Sequence, residues 1–164
     1  MRTWHSARTK KPFGIECLIF YYTLISAVAS WFAAQFIKTI IHAIKYKTFN
    51  PERLFGSGGM PSSHSALVCA ATLACGRSQG IESVSFAIMF LVAMVVMYDA
   101  MGVRRAAGLH ARELNKIRDI ILERNEINEK TKKLKEYIGH TPLEVLGGAI
   151  LGIFISLIMP VTIG

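Results

Sequence analysis

Two histidines in this chain stand where an apolar run begins, each beside residues suited to phosphate chemistry. The first is His64, in Gly56-Ser57-Gly58-Gly59-Met60-Pro61-Ser62-Ser63-His64-Ser65. Glycines let the backbone turn sharply, and Ser62 and Ser63 fall where a helix would start. A helix start offers unpaired N–H groups and the positive end of the macrodipole, a ready cradle for an anion. His64 would hold a proton beside that anion. A glycine turn closed by an ordinary serine N-cap, with an idle histidine, accounts for the same letters.

The second is His140, in Gly139-His140-Thr141-Pro142-Leu143-Glu144. Thr141 as N-cap, Pro142 at the first helical position and Glu144 three residues after the cap read as a capping box. Capping does not explain His140. A carboxylate four residues on would hold its ring in one tautomer and leave the other nitrogen to attack phosphorus. Between the two histidines lie Asp99, Arg104 and Arg105. The arginines suit bidentate contact with phosphate oxygens, with Asp99 to orient one of them, although simple snorkelling anchors would look alike. Lys38, an ammonium inside a long apolar run, would face a polar cavity or snorkel to the membrane edge.

These side chains need elements to carry them. The 164 residues are 52% hydrophobic and 18% charged, with a mean hydropathy of +0.38. That is too apolar for a disordered chain and too short for several domains. Apolar stretches predict helical spans near residues 17–44, 62–78, 83–99 and 142–163. The middle two are marginal in length and would also suit a buried hairpin. Residues 100–140 form a polar loop, in which Leu114, Ile117 and Ile121 recur at the spacing of an amphipathic helix running to about Lys135. The expected fold is a single all-α integral membrane domain of about four transmembrane helices plus this amphipathic cytosolic segment. Cys17, Cys69 and Cys75 read as buried packing thiols.

Thirteen lysines and arginines fall in the loops on one side of such a bundle and five on the other. The positive-inside rule puts the richer side, and both histidines, in the cytoplasm. The net charge of +8 then reads as an orientation signal and a face for anionic lipid headgroups. No recognition pattern for nucleic acid accompanies it.

Pro61-Ser62-Ser63-His64 resembles the Pro-Ser-Gly-His signature of the type 2 phosphatidic acid phosphatase and vanadium haloperoxidase superfamily. His140-x-x-x-Glu144 resembles the end of that superfamily's third motif. Ser57 to Ser65, Tyr98-Asp-Ala-Met-Gly-Val-Arg-Arg105 and Gly139 to Val145 are more similar still to its divergent, small membrane branch, over nearly the whole chain. The resemblance implies a helical, integral-membrane phosphatase. Three departures accompany it. The first motif, a lysine separated by six residues from an Arg-Pro pair, is absent: Lys47 and Arg53 are one residue too close, and Leu54 replaces the proline. Leu134 stands where the third motif has arginine, and Ser63 stands where glycine is usual.

The expected function is that of a lipid phosphate monoesterase working through a phosphohistidine, with no metal or cofactor. His140, oriented by Glu144, attacks, and His64 serves as acid and then base. Lys38, Ser62, Ser63, Arg104, Arg105 and Asp99 bind or organise the phosphate. The expected partners are the bilayer and a cytosol-facing phospholipid monoester, first phosphatidylglycerophosphate and then phosphatidate, in a bacterial inner membrane; a homo-oligomer is compatible with the sequence. Two other classes fit the same letters: a non-catalytic binder of anionic lipid or a partner, and a small transporter or channel subunit.

Overall fold

The computed structural model describes residues 13–46, 59–125, 132–136 and 139–161. Gly56, Ser57 and Gly58 of the glycine turn, Lys47, Arg53 and the N-terminal basic stretch lie outside the described residues. Within them the regular structure is all helical, without strands: α1 (Phe13–Tyr46), α2 (Ser63–Gln79), α3 (Val84–Met101), α4 (Val103–Asn125) and α5 (Pro142–Ile158). Helices α1, α2, α3 and α5 lie on the four apolar stretches. The last ends earlier than its apolar run, because Pro160 has no N–H with which to continue it. Two stretches, Cys17–Ile44 and Val84–Arg124, are long and apolar enough to cross a membrane; α5 is apolar but shorter.

Helix α2 is the least apolar of the four, and it is the one the others surround: it packs against α1, α3 and α5. Its seams are made of small residues. Ser63, Ser65, Ala66, Ala70 and Ala74 of α2 are buried, as are Ser26, Ser30 and Ala34 of α1 and Gly148, Gly152 and Ser156 of α5. The Ser30 hydroxyl lies 2.8 Å from the Ala27 carbonyl and 3.0 Å from that of Ala66, so it has acceptors on its own helix and on α2. The bulky side chains point the other way. Phe20, Phe32, Phe36, Leu91 and Phe154 are each at least 59% exposed. In water this distribution is inverted, because burial of large apolar surface drives folding there. In hydrocarbon it is the stable one: lipid solvates the large side chains, and small residues let helix backbones approach.

The connection α2–α3 is a tight turn, with Gly80 closing α2 and the Ser83 hydroxyl accepting from the Phe86 N–H at 3.2 Å. At this end Arg77 holds the bundle together. Its guanidinium donates to the Tyr22 hydroxyl at 2.8 Å and to the carbonyls of Ser156 and, at 3.1 Å, Met159. A cation on the last carbonyls of α5 satisfies groups that a helix end leaves unpaired.

Helix α4 packs on the rest of the bundle only through α3. Its described part ends at Asn125, and residues 132–136 lie beside it without helical structure, so the amphipathic helix does not run on to Lys135. Buried Asn115 holds them there. Its Nδ2 donates to the Leu134 carbonyl at 2.9 Å, and its Oδ1 accepts from the Leu134 N–H at 2.9 Å. This peptide-like pairing, with Lys133 bonded to Asp119 at 2.6 Å, gives Leu134 a backbone partner that a longer helix would have supplied.

Candidate active site

The helices alternate in direction, so α2 and α5 begin, and α3 ends, at the same end of the bundle. Helix α4 starts there, and α1 brings Lys38 to it about two turns before its own C-terminus. His64 and His140, 76 positions apart in the chain, line one cavity of about 80 Å³ together with Val96, Asp99, Ala100, Arg104 and Gly139. One water needs about 10–15 Å³ on this scale, so there is room for several waters or a tetrahedral anion.

Glu144 organises the α5 side. The capping box is complete: the Thr141 hydroxyl accepts from the Glu144 N–H at 3.4 Å, and the Thr141 N–H donates back to Glu144 Oε2 at 3.0 Å. The same Oε2 stands 3.1 Å from His140 Nδ1. One carboxylate oxygen therefore caps the helix and fixes the ring, leaving Nε2 as the nitrogen available for chemistry. The His140 backbone is held as well, its N–H donating to the Ala100 carbonyl of α3 at 3.0 Å. Gly139 makes that approach possible. Its φ is +91°, and a methyl there would collide with the backbone of Arg104 and Arg105.

His140 is buried, only 4% exposed. Burial pulls its pKa below the ordinary imidazole value; Glu144 pulls it partly back up, while Lys38 and Arg104 push it further down. A ring with a lowered pKa is neutral at neutral pH, which is the form a nucleophile needs. A reaction that used neutral His140 as nucleophile is therefore expected to be full near neutrality and to fall as pH drops through this lowered value. Glu144→Gln removes the carboxylate charge that helps to raise it. The acid limb of the pH profile is expected to move to lower pH in that variant while kcat also falls, a pairing that pH-dependent kinetics will show. An unmoved limb would remove Glu144 from this role.

Arg104 Nε lies 2.5 Å from Asp99 Oδ2, so Asp99 orients the arginine that lines the cavity. Arg104, His140 and Lys38 all exert electrostatic influence on His64. Lys38 is 5% exposed, and its stem runs against Gly59 of the loop before α2.

Other expected residues stand apart. Arg105 meets Gly139 through its backbone, and its side chain is exposed away from the cavity wall. Ser62 is occupied: its N–H donates to the Glu144 carbonyl at 2.9 Å, and its hydroxyl caps α2 by accepting from Ser65. The first-turn amides of α2 left for an anion are those of Ser63 and His64. Gly139, Ala100 and Val96 were not singled out from the sequence, although the glycine beside His140 was visible as a turn signal. A larger hollow of about 610 Å³ lies at the other end, between α1, α2 and α3, lined by residues such as Thr23, Gln79 and Ser85 and by no charged group. It takes no part in this site.

An inverted-core helical bundle with two histidines, an oriented arginine and helix N-termini around one small polar cavity is the architecture of a helical membrane protein, and the cavity has the size and donors that a tetrahedral oxyanion would need. The sequence profile of the Divergent PAP2 family matches residues 21–155, and the chain belongs to that family. It is also similar to a protein of Bacillus subtilis (strain 168) described as uncharacterized membrane protein YuiD, with 36% identity over 154 residues that cover 87% of this chain and 96% of that relative. No solved structure matches it.

Proposed function

We propose that this protein is a metal-free phosphoric monoester hydrolase acting on a lipid phosphate. The observation that carries the reading is the shared cavity: His64 and His140 face one space, with His140 tied to Glu144 and Arg104 tied to Asp99. Neutral His140 Nε2 forms a bond to phosphorus as the ester P–O bond breaks, and His64 gives its proton to the departing alkoxide. His64 then takes a proton from water, whose oxygen displaces Nε2 from phosphorus. The products are the lipid alcohol and inorganic phosphate. Arg104, Lys38 and the Ser63 and His64 amides supply positive charge where negative charge gathers in the transition state.

On this reading α1, α2, α3 and α5 all span the membrane and the cavity opens to the cytoplasm, supported by the thirteen-to-five distribution of lysine and arginine between loops. The favoured substrate is phosphatidylglycerophosphate, then phosphatidate, in a bacterial inner membrane. Purified protein in detergent is expected to release inorganic phosphate from such lipids, and vanadate to inhibit by occupying the same cradle. A second reading, anion binding without turnover, draws on the occupied Ser62 amide and the outward Arg105. It predicts that lipid phosphate binds and no phosphate is released.

A further inference from the structure

A second cavity lies directly beneath the candidate site, between the same helices. It measures about 210 Å³ and is lined by Cys69 and Thr72 of α2, Ala93, Met94 and Met97 of α3, and Ile153 of α5, among others. The connection is read along the helices. On α3, Val96 and Ala100 line the upper cavity while Ala93 and Met97 line the lower one. On α2, His64 belongs to the upper and Cys69, five residues on, to the lower.

The wall of the lower cavity is apolar. Its hydroxyl, that of Thr72, is turned to backbone, 2.7 Å from the Val68 carbonyl and 3.1 Å from that of Met89. The Cys69 thiol is directed at Met97 Sδ, 3.8 Å away. Nothing on this wall would hold a sugar, a polyol or a second phosphate. The methionines offer soft, adaptable surface that moulds to kinked or irregular apolar chains. Met94 is 52% exposed, so the groove opens sideways to the surroundings of the bundle.

Its length matches one kind of occupant. From Ala100 to Phe90, the deepest α3 residue lining it, α3 rises by ten residues, about 15 Å at 1.5 Å each. Half of a hydrocarbon core near 30 Å thick is also about 15 Å. The groove, lined on α3 from Met97 to Phe90, therefore starts next to the polar cavity and, with α3 spanning, reaches down to about the middle of a bilayer, the depth of a single leaflet.

The geometry points to this groove as the seat of one acyl chain of the substrate, entering laterally from the leaflet while its phosphate occupies the cavity between His64 and His140. The assignment rests on the phosphatase reading for its headgroup. It makes Ala93, Met94 and Met97 determinants of chain length, which the histidines cannot be.

The test compares dioleoyl with dihexanoyl phosphatidate. Ala93→Leu extends a side chain into the groove, and Met94→Phe narrows its open rim with less demand on packing. Each is expected to lower the ratio of kcat/KM for the long-chain over the short-chain lipid by about tenfold or more, the scale of discrimination by a single methylene in an apolar pocket. A ratio unchanged in a folded variant overturns the groove and leaves the site standing. A binding arm does not depend on turnover. Dioleoyl phosphatidate is expected to raise the unfolding temperature of the wild type more than dihexanoyl phosphatidate does, and the variants to lose that difference. Phosphate release from neither lipid, with this difference intact, would sink the enzyme reading and keep the groove. An equal shift from dioleoyl phosphatidylcholine would show a groove for bulk lipid only and overturn the proposal.

Discussion

His140→Ala is expected to lower phosphate release from a lipid phosphate by on the order of 100-fold or more, the scale set by losing one proton-transfer or nucleophilic group. Alanine removes the only atom of this position that can bond to phosphorus, while the backbone bond to Ala100 and the Thr141–Glu144 box survive. The helix start should therefore persist and the loss should be chemical. His64→Ala is expected to lose a similar factor on lipid substrates, whose alkoxide needs a proton; on p-nitrophenyl phosphate, whose leaving group does not, kcat/KM should fall much less, while kcat still drops because water is no longer activated. The two variants separate by what they trap: brief incubation with radiolabelled p-nitrophenyl phosphate followed by an alkaline quench, in which the P–N bond of a phosphohistidine survives, should leave label on the His64 variant and none on the His140 variant. Retained turnover without His140 would exclude it as nucleophile.

The second large effect is structural. A Cβ at Gly152 would strike the Ala66 carbonyl of α2, and one at Gly148 would strike that of Ser62. Helix α5 has little freedom to retreat, because Arg77 grips its last carbonyls and the Ser62 N–H is bonded to Glu144 at its start. Gly152→Leu is expected to destabilise the bundle by at least the 1–3 kcal/mol, roughly, that overpacking costs in a dense core. The measurement is the unfolding temperature in detergent. Phe154→Leu, two residues on and 59% exposed, is the control and should change it little. Equal behaviour of the two would mean that α2 and α5 are not packed through these glycines.

What the sequence disclosed divides along physical lines. Local signals were legible. Thr141, Pro142 and Glu144 read as a capping box because every partner lies within four residues, and the structure has that box. Ser62 read as a helix start for the same reason. The apolar stretches located α1, α2, α3 and α5, since hydropathy depends on composition alone. Long-range contacts were hidden. Asn115 turning residues 132–136 back along α4, Arg77 reaching the end of α5, and the occupation of the Ser62 amide by Glu144 all join residues whose proximity only packing decides. Arg104 and Arg105 were indistinguishable as neighbours; one helical step of about 100° sends the first to the cavity and the second outward. The weak apolar signal of α2 has the same origin. A central helix in lipid needs small residues more than oily ones.

His140 is fastened at its backbone to α3 and at its ring to α5. A side chain tethered to two helices in this way acts as a gauge of their relative tilt. Bilayers of different thickness are accommodated by tilting, so, with α3 and α5 both spanning, the aim of this imidazole is expected to follow the thickness of the surrounding lipid.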